Sequence, residues 1–418
     1  MRSIAARLTE IVAPTRLGRS FRWLLSATVI NNVGDGIAIA AGPLLVASQT
    51  RDPFLVSMAL LSQYLPVLIF GVLGGAIADR VDRRRMVVAV DLGRALVLVA
   101  LVVTIVSGTV NIAVVLIALF VLGTAETFAD AASSALLPGM VDRDDLGIAN
   151  ARLQGGFLLT NQLLAPPIGA FLFAAGMALP FATNAACFAL GAVLISRVVT
   201  GTKAEVREGS SLRAEMVEGI RWLLAHPPMR TLALTIFTFN VTFGAAFSVL
   251  VLYAGDRLGM AAVGFGLLTT ATAIGGIIGV VSYGRLERRF SLGDIMRAGL
   301  LIETFTHLSL ALTTLPAVAL ATFVVFGAHE FIWGTTSTVV RQRAVPDELL
   351  GRVGGVYRVA IMCGLVIGTP IGGLLARQFG VTAPFWFGFV GSALLVAILW
   401  RQFAQIVHAG DVSDSLPA

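Results

Sequence analysis

Twelve apolar runs, each about as long as a bilayer is thick, constrain this chain more than any motif does. They cover residues 23–48, 54–78, 86–107, 112–137, 153–175, 179–199, 231–254, 263–283, 295–315, 317–340, 353–376 and 383–400. A helix rises 1.5 Å per residue, so a hydrocarbon core of roughly 30 Å takes about 20 residues. In lipid every backbone N–H and C=O must be paired within its own segment, so such runs fold as helices. Charged residues make up only 13% of the chain, against about a quarter in soluble domains. The predicted fold class is an all-α membrane protein with twelve transmembrane helices.

The arginines orient it. With the N-terminus placed inside, 25 of the 30 Lys and Arg fall in inner segments, counting Arg197 and Arg297 at the inner ends of their runs. Only Arg51, Arg257 and Arg377 fall in outer loops, while Arg94 and Arg358 lie within spans. The positive-inside rule then predicts both termini in the cytoplasm and a multi-pass protein of the cytoplasmic membrane. The net charge of +6 reads as a topology signal, not as affinity for nucleic acid. Cys187 and Cys363 sit inside apolar runs and read as packing residues, with no metal or disulfide framework.

Five segments follow: a basic cytosolic arm 1–22, a six-helix bundle 23–199, a cytoplasmic linker 200–230, a second six-helix bundle 231–402 and a tail 403–418. The linker carries an amphipathic helix. Ser211 can cap it, Glu215 and Glu218 suit its first turns, and Leu212, Met216, Ile220, Leu223 and Leu224 form an apolar stripe before Pro227. The two bundles repeat each other. "GGAIADRVDRRR" at 74–85 recurs as "GVVSYGRLERRF" at 279–290, "GTAE" at 123–126 as "GAHE" at 327–330, "DDL" at 144–146 as "DEL" at 347–349, and "PIGAFL" at 167–172 as "PIGGLL" at 370–375. Matches in one order at a near-constant offset predict two pseudo-symmetric halves, an architecture suited to rocking around a central cavity.

The stretch at 74–85 also carries a resemblance. It is similar to the G-x-x-x-D-R/K-x-G-R-R motif of the major facilitator superfamily, with Gly75, Asp79, Arg80, Arg83 and Arg84 in place and Asp82 where the motif has glycine. Within that superfamily the chain resembles the drug and siderophore exporters, through "SSALLPGMVDRDDLGIANA" at 133–151, "EGIRWLLAHPPMR" at 218–230 and "RQRAVPDELLGRV" at 341–353. "APPIGA" at 165–170 loosely matches an antiporter signature. The resemblance implies export of lipophilic small molecules by a monomer that exchanges them for protons and needs no cofactor. It also implies a conformational latch in which Asp79, with Arg80, Arg83 and Arg84, meets the N-terminus of the eleventh helix at 351–355. Asp91 and Arg94, i,i+3 on the third helix, read as a pair that orients this latch.

Acids inside the bilayer are costly and mark function. Asp35 lies near mid-membrane on the first helix, and Glu126 and Glu330 are repeat equivalents on the fourth and tenth. Asp130 is one turn from Glu126. These four are the proton-coupling candidates, since desolvation penalises a charged carboxylate. Glu303 and His307, i,i+4 on the ninth helix, read as a local structural pair. Asn32, Asn240, Phe243 and Trp333 are candidates for lining a substrate cavity. The same fold would also serve a facilitator importer or a lipid transporter. An enzyme is disfavoured, because His226, His307, His329 and His408 are scattered and neither H-E-x-x-H nor G-x-S-x-G occurs.

Overall fold

The computed structural model describes residues 14–78, 80–134, 136–199 and 212–403. Among these every regular element is a helix and no strand occurs. The long apolar helices are α1 (Gly18–Gln49), α2 (Pro53–Ala78), α3 (Arg83–Val106), α4 (Ile112–Ser134), α5 (Leu146–Ala175) and α6 (Leu179–Ser196), then α7 (Pro227–Phe247), α8 (Ala262–Arg289), α9 (Leu292–Leu312), α10 (Pro316–Ala344), α11 (Leu350–Phe379) and α12 (Ala383–Leu399). Eleven are long and apolar enough to cross a membrane; α12 is apolar but only 17 residues long.

Three boundaries differ from the sequence expectation, each for a local reason. The first helix starts at Gly18, inside the expected cytosolic arm, because Leu17, Phe21, Leu24 and Leu25 are buried together. Helix α5 is interrupted by a π-helical stretch, Leu158–Leu164, just before Pro166 and Pro167, which have no N–H to continue the regular ladder. The seventh run does not reach residue 254 as one helix. Ser248 turns its hydroxyl onto the carbonyls of Ala245 (3.0 Å) and Thr369 (3.3 Å), and α7 stops there. A short π-helical turn, Tyr253–Arg257, follows and is tied down by Tyr253 Oη donating to the Leu310 carbonyl at 2.6 Å.

The chain forms two units. The first comprises Met1–Thr50, Ser62–Arg207 and Ala262–Thr270; the second comprises Arg51–Leu61, Glu208–Ala261 and Ala271–Ala418. The starts of α2 and α8 are thus exchanged relative to a simple cut at the linker. In the second unit Arg51 pairs with Asp256 (3.3 Å) and Arg377 with Asp52 (3.6 Å) at this segment. Helix pairings repeat between the units: α1 packs on α5 and α6 and α3 on α4 and α6, as α7 packs on α11 and α12 and α9 on α10 and α12. Two glycine positions make the repeat physical. A Cβ on Gly169 of α5 would strike the backbone of Ile37 in α1, and one on Gly372 of α11 would strike that of Ala245 in α7. Lipid gives no hydrophobic drive between helices, so close backbone approach at glycine supplies the packing.

Helix α3 shows how such a unit is built. Leu92, Leu96, Val99, Val103 and Val106 are exposed along one face, while Asp91, Arg94, Ala95, Leu98 and Leu101 are buried on the other. Apolar outside and charged inside is the reverse of a soluble helix, and it is what a lipid solvent selects.

The linker helix runs Leu212–Ala225. Its anchored side is Gly219, Trp222 and Leu223; a Cβ on Gly219 would lie 3.0 Å from the Arg352 backbone, and Glu218 is paired with Arg352. Of the expected stripe, Leu223 is buried, whereas Met216, Ile220 and Leu224 are exposed on an apolar edge. Ser211 and the side chains of Leu212 and Glu215 lie outside the described residues.

Candidate functional site

The first unit holds a chain of polar groups that links α1, α3, α4, α5 and α6. It starts from spacing. Asn31 and Asp35 are one turn apart on α1, and Asp91 and Arg94 are nearly so on α3, so the two helices can meet in two rungs. They do. Asn31 Nδ2 donates to Asp91 Oδ2 at 2.9 Å, and Arg94 Nη2 binds Asp35 Oδ1 at 2.5 Å. The expected Asp91–Arg94 pairing is corrected here. Arg94 reaches across to α1, because Asp91 is already engaged by Asn31.

Arg94 is 5% exposed, a nearly complete desolvation for a guanidinium. Three contacts offset that cost: the Asp35 carboxylate, the Phe188 ring with its centroid 3.8 Å from the guanidinium carbon, and Glu126 Oε2 at 4.0 Å. Space for the layer comes from glycines. A Cβ on Gly191 would overlap Asn31, and one on Gly34 would overlap Asn184. In the π-helical part of α5, Asn161 is buried, accepts from Gln162 Nε2 at 2.8 Å and donates to the Asn32 carbonyl at 3.5 Å. Arg94 Nε, Asn31 Oδ1, Asp91 Oδ1 and Asn184 Oδ1 are buried without a hydrogen-bond partner among the described residues.

The four acids singled out from the sequence are not equivalent. The Asp35 side chain is largely buried, at 21% exposure, and holds Arg94. Glu126 is 52% exposed at the side chain, and Asp130, a turn along α4, is exposed as well. Both α4 acids lie at the exposed edge of the cluster. Glu330 is exposed on α10 in the second unit. Its neighbour His329 turns inward instead, and Glu303 takes both His307 (3.2 Å) and His329 (3.3 Å), all three buried. The i,i+4 pair on α9 was legible; the histidine from α10 was hidden, because adjacent helical residues point about 100° apart.

The cavity candidates belong to both units. Asn32 belongs to the first unit and contributes its carbonyl to Asn161. In the second unit Asn240 bonds the Ile236 carbonyl at 2.7 Å, and Phe243 stacks on Phe247 with centroids 3.9 Å apart. Trp333 is 4% exposed and packs against Phe239 and Phe403 in the core of that unit.

Of the latch residues, Asp79 lies outside the described residues. Asp82, in the glycine position of the motif, caps α3 by accepting from the Arg85 N–H at 3.0 Å. Arg84 donates to the Val198 carbonyl at 3.1 Å and Arg83 to that of Ala78 at 3.3 Å, while Arg80 is exposed. Of the glycines preceding Asp79, Gly74 faces α4 near Thr127 and Ala131; a methyl on Gly71 or Gly75 would have no described atom within 4 Å.

A family profile described as transmembrane secretion effector matches residues 9–417. The chain belongs to this family of major facilitator transporters. The transporter is 30% identical over 383 residues to the multidrug efflux pump Tap of Mycolicibacterium fortuitum, covering 87% of this chain and 90% of that one. It is 26% identical over 423 residues to the enterobactin exporter EntS of Shigella boydii serotype 4 (strain Sb227), covering 95% and 96%. Among solved structures, a bacterial homologue of the iron transporter ferroportin in an inward-facing state superposes with a TM-score of 0.75 at 18% identity, covering 92% of this chain and 98% of that one. The family and these relatives are transporters, not enzymes.

Proposed function

We infer that this transporter exports lipophilic small molecules of the drug or siderophore type from the cytoplasm, in exchange for protons, by alternating access of twelve spans. The names of the relatives support the substrate class. The coupling rests on one observation: a buried arginine held by one acid, Asp35, with a second, Glu126, at 4.0 Å. A proton on Asp35 removes the charge that holds Arg94. The guanidinium then turns to Glu126, and two arrangements of one layer become states that a proton can choose between. Substrate efflux should therefore collapse when the proton gradient does. The test is accumulation of a fluorescent lipophilic dye in cells with and without the protein, with a protonophore added. Dye exclusion that depends on the protein but survives the protonophore would sink the coupling.

The orientation has its own test. A reporter fused at Ala418 is expected in the cytoplasm and one inserted at Val110 outside, following the arginine distribution; an external Ala418 reverses the scheme. In this orientation the basic loop after α2 is cytoplasmic, and the latch that the superfamily resemblance implies would draw on the charge of Asp79 against a helix dipole there. Asp79→Asn is expected to shift the resting population several-fold towards inward-open, since dipole contacts contribute roughly 0.3–2 kcal/mol. Labelling of single cysteines on the cytoplasmic side would rise accordingly; unchanged labelling makes Asp79 an ordinary loop acid.

A further inference from the structure

The second unit contains a cavity of about 630 Å³ between α7, α10 and α11, on the opposite half of the sequence from the Asp35 layer. That volume is in the range of small-molecule sites. Its walls are unusual in charge. Arg341 and Arg358 both line it, and none of its lining residues is acidic. Among the described residues neither arginine makes an ion pair.

Arg341 is nevertheless held in place. Its guanidinium lies over the Tyr357 ring, 3.8 Å from the centroid. It donates to Ser337 Oγ at 3.3 Å and Thr338 Oγ1 at 3.1 Å, and the Tyr357 hydroxyl is 2.7 Å from the same Ser337 oxygen. All of these partners are neutral. They fix the orientation of the fork and leave the positive charge of this half-buried side chain without an acidic partner. Arg358, one residue beyond Tyr357, is exposed and lines the same cavity. On the same wall no described atom lies within 4 Å of a methyl built on Gly334, Gly351 or Gly354, so the floor is open backbone. Ile236 and Ile361 supply apolar surface.

We propose that this cavity binds an amphiphilic organic anion: a carboxylate, sulfonate or phosphate between Arg341 and Arg358, with its apolar body against Ile236, Ile361 and the Tyr357 edge. A planar guanidinium already oriented by hydroxyls presents paired donors to an oxyanion at little further loss of freedom. The site does not depend on the direction of transport or on proton coupling, and it is measured at equilibrium.

The test is binding of dansylate, an aryl sulfonate, and of its uncharged analogue dansylamide to the purified full-length protein in neutral detergent. Dansylate should bind at least about ten-fold more tightly than dansylamide, and the difference should shrink as salt is raised. Arg341→Gln and Arg358→Gln should each weaken dansylate about ten-fold and leave dansylamide unchanged. Arg358 is exposed, so its variant keeps the test valid if Arg341→Gln folds poorly. A second arm distinguishes the source of the anion. Displacement of dansylate by a short-chain phosphatidate, with acidic lipid co-purifying with wild type and not with the variants, assigns a lipid headgroup; no displacement by phosphatidate assigns a soluble organic anion. Equal binding of dansylate and dansylamide, or dansylate affinity untouched by both substitutions, overturns the proposal.

Discussion

Asp35→Asn is expected to abolish uphill efflux, returning dye accumulation in energised cells to that of cells lacking the protein. The side chain keeps its size and can still accept a hydrogen bond from Arg94, which it meets at 2.5 Å in the wild type. What it loses is the charge and the proton. Arg94 is 5% exposed and would keep only Glu126, at 4.0 Å, as a charged neighbour. The layer is then fixed in the arrangement that protonation produces only transiently, and cycling stops. Equilibrium substrate binding should persist, because the packing around the site is unchanged. The reverse substitution separates coupling from folding. Arg94→Ala removes the cation and leaves Asp35 buried beside Asp91, and truncating one partner of a buried pair costs about 3–5 kcal/mol. That variant is expected to lose folded protein, not merely transport. Glu126→Gln, at the exposed edge, should reduce uphill efflux only in part. Wild-type pumping by Asp35→Asn would make Asp35 a structural hydrogen-bonding residue and move the coupling elsewhere.

Gly372→Leu is expected to remove most of the folded protein. Its would-be Cβ already overlaps the carbonyl and Cα of Ala245, and backbone cannot rotate out of the way as a side chain can. Overpacking of ordinary cores costs typically about 1–3 kcal/mol. Here α11 must also move off α7 along a seam that includes Gly364 and Gly368, each closed against α7 in the same manner. Gly169→Leu should do the same in the first unit, against Ile37. Gly71→Ala, with no described atom within 4 Å of the new methyl, is the control and should behave as wild type. The measurement is the monodisperse fraction on size-exclusion chromatography after extraction in mild detergent. A wild-type peak for Gly372→Leu would show that α7 and α11 can separate without loss, and the repeat-based account of packing would fail.

The sequence alone determined the solvent and the repeat. Bilayer thickness acts on each run separately, so helix length and apolarity can be read one segment at a time. The offset of about 203–205 residues between "PIGAFL" and "PIGGLL" or "GTAE" and "GAHE" is equally one-dimensional. Asp35, Arg94 and Glu126 stood out because ionisable groups are rare where water is absent. Their partners did not. Along α3 Asp91 is the nearest acid to Arg94, yet Asn31 occupies Asp91 and leaves Arg94 for Asp35. His329 is next to Glu330 in the chain and instead joins Glu303. Trp333 had the composition of a binding-site aromatic and is core, while Arg341 and Arg358, 17 positions apart in the chain, share one cavity wall. The reason is common to all four. Depth in the membrane is fixed by position along a helix, but which face meets which neighbour is fixed by how helices rotate and approach, and glycine gaps such as Gly34 and Gly191 decide that only once the helices are packed.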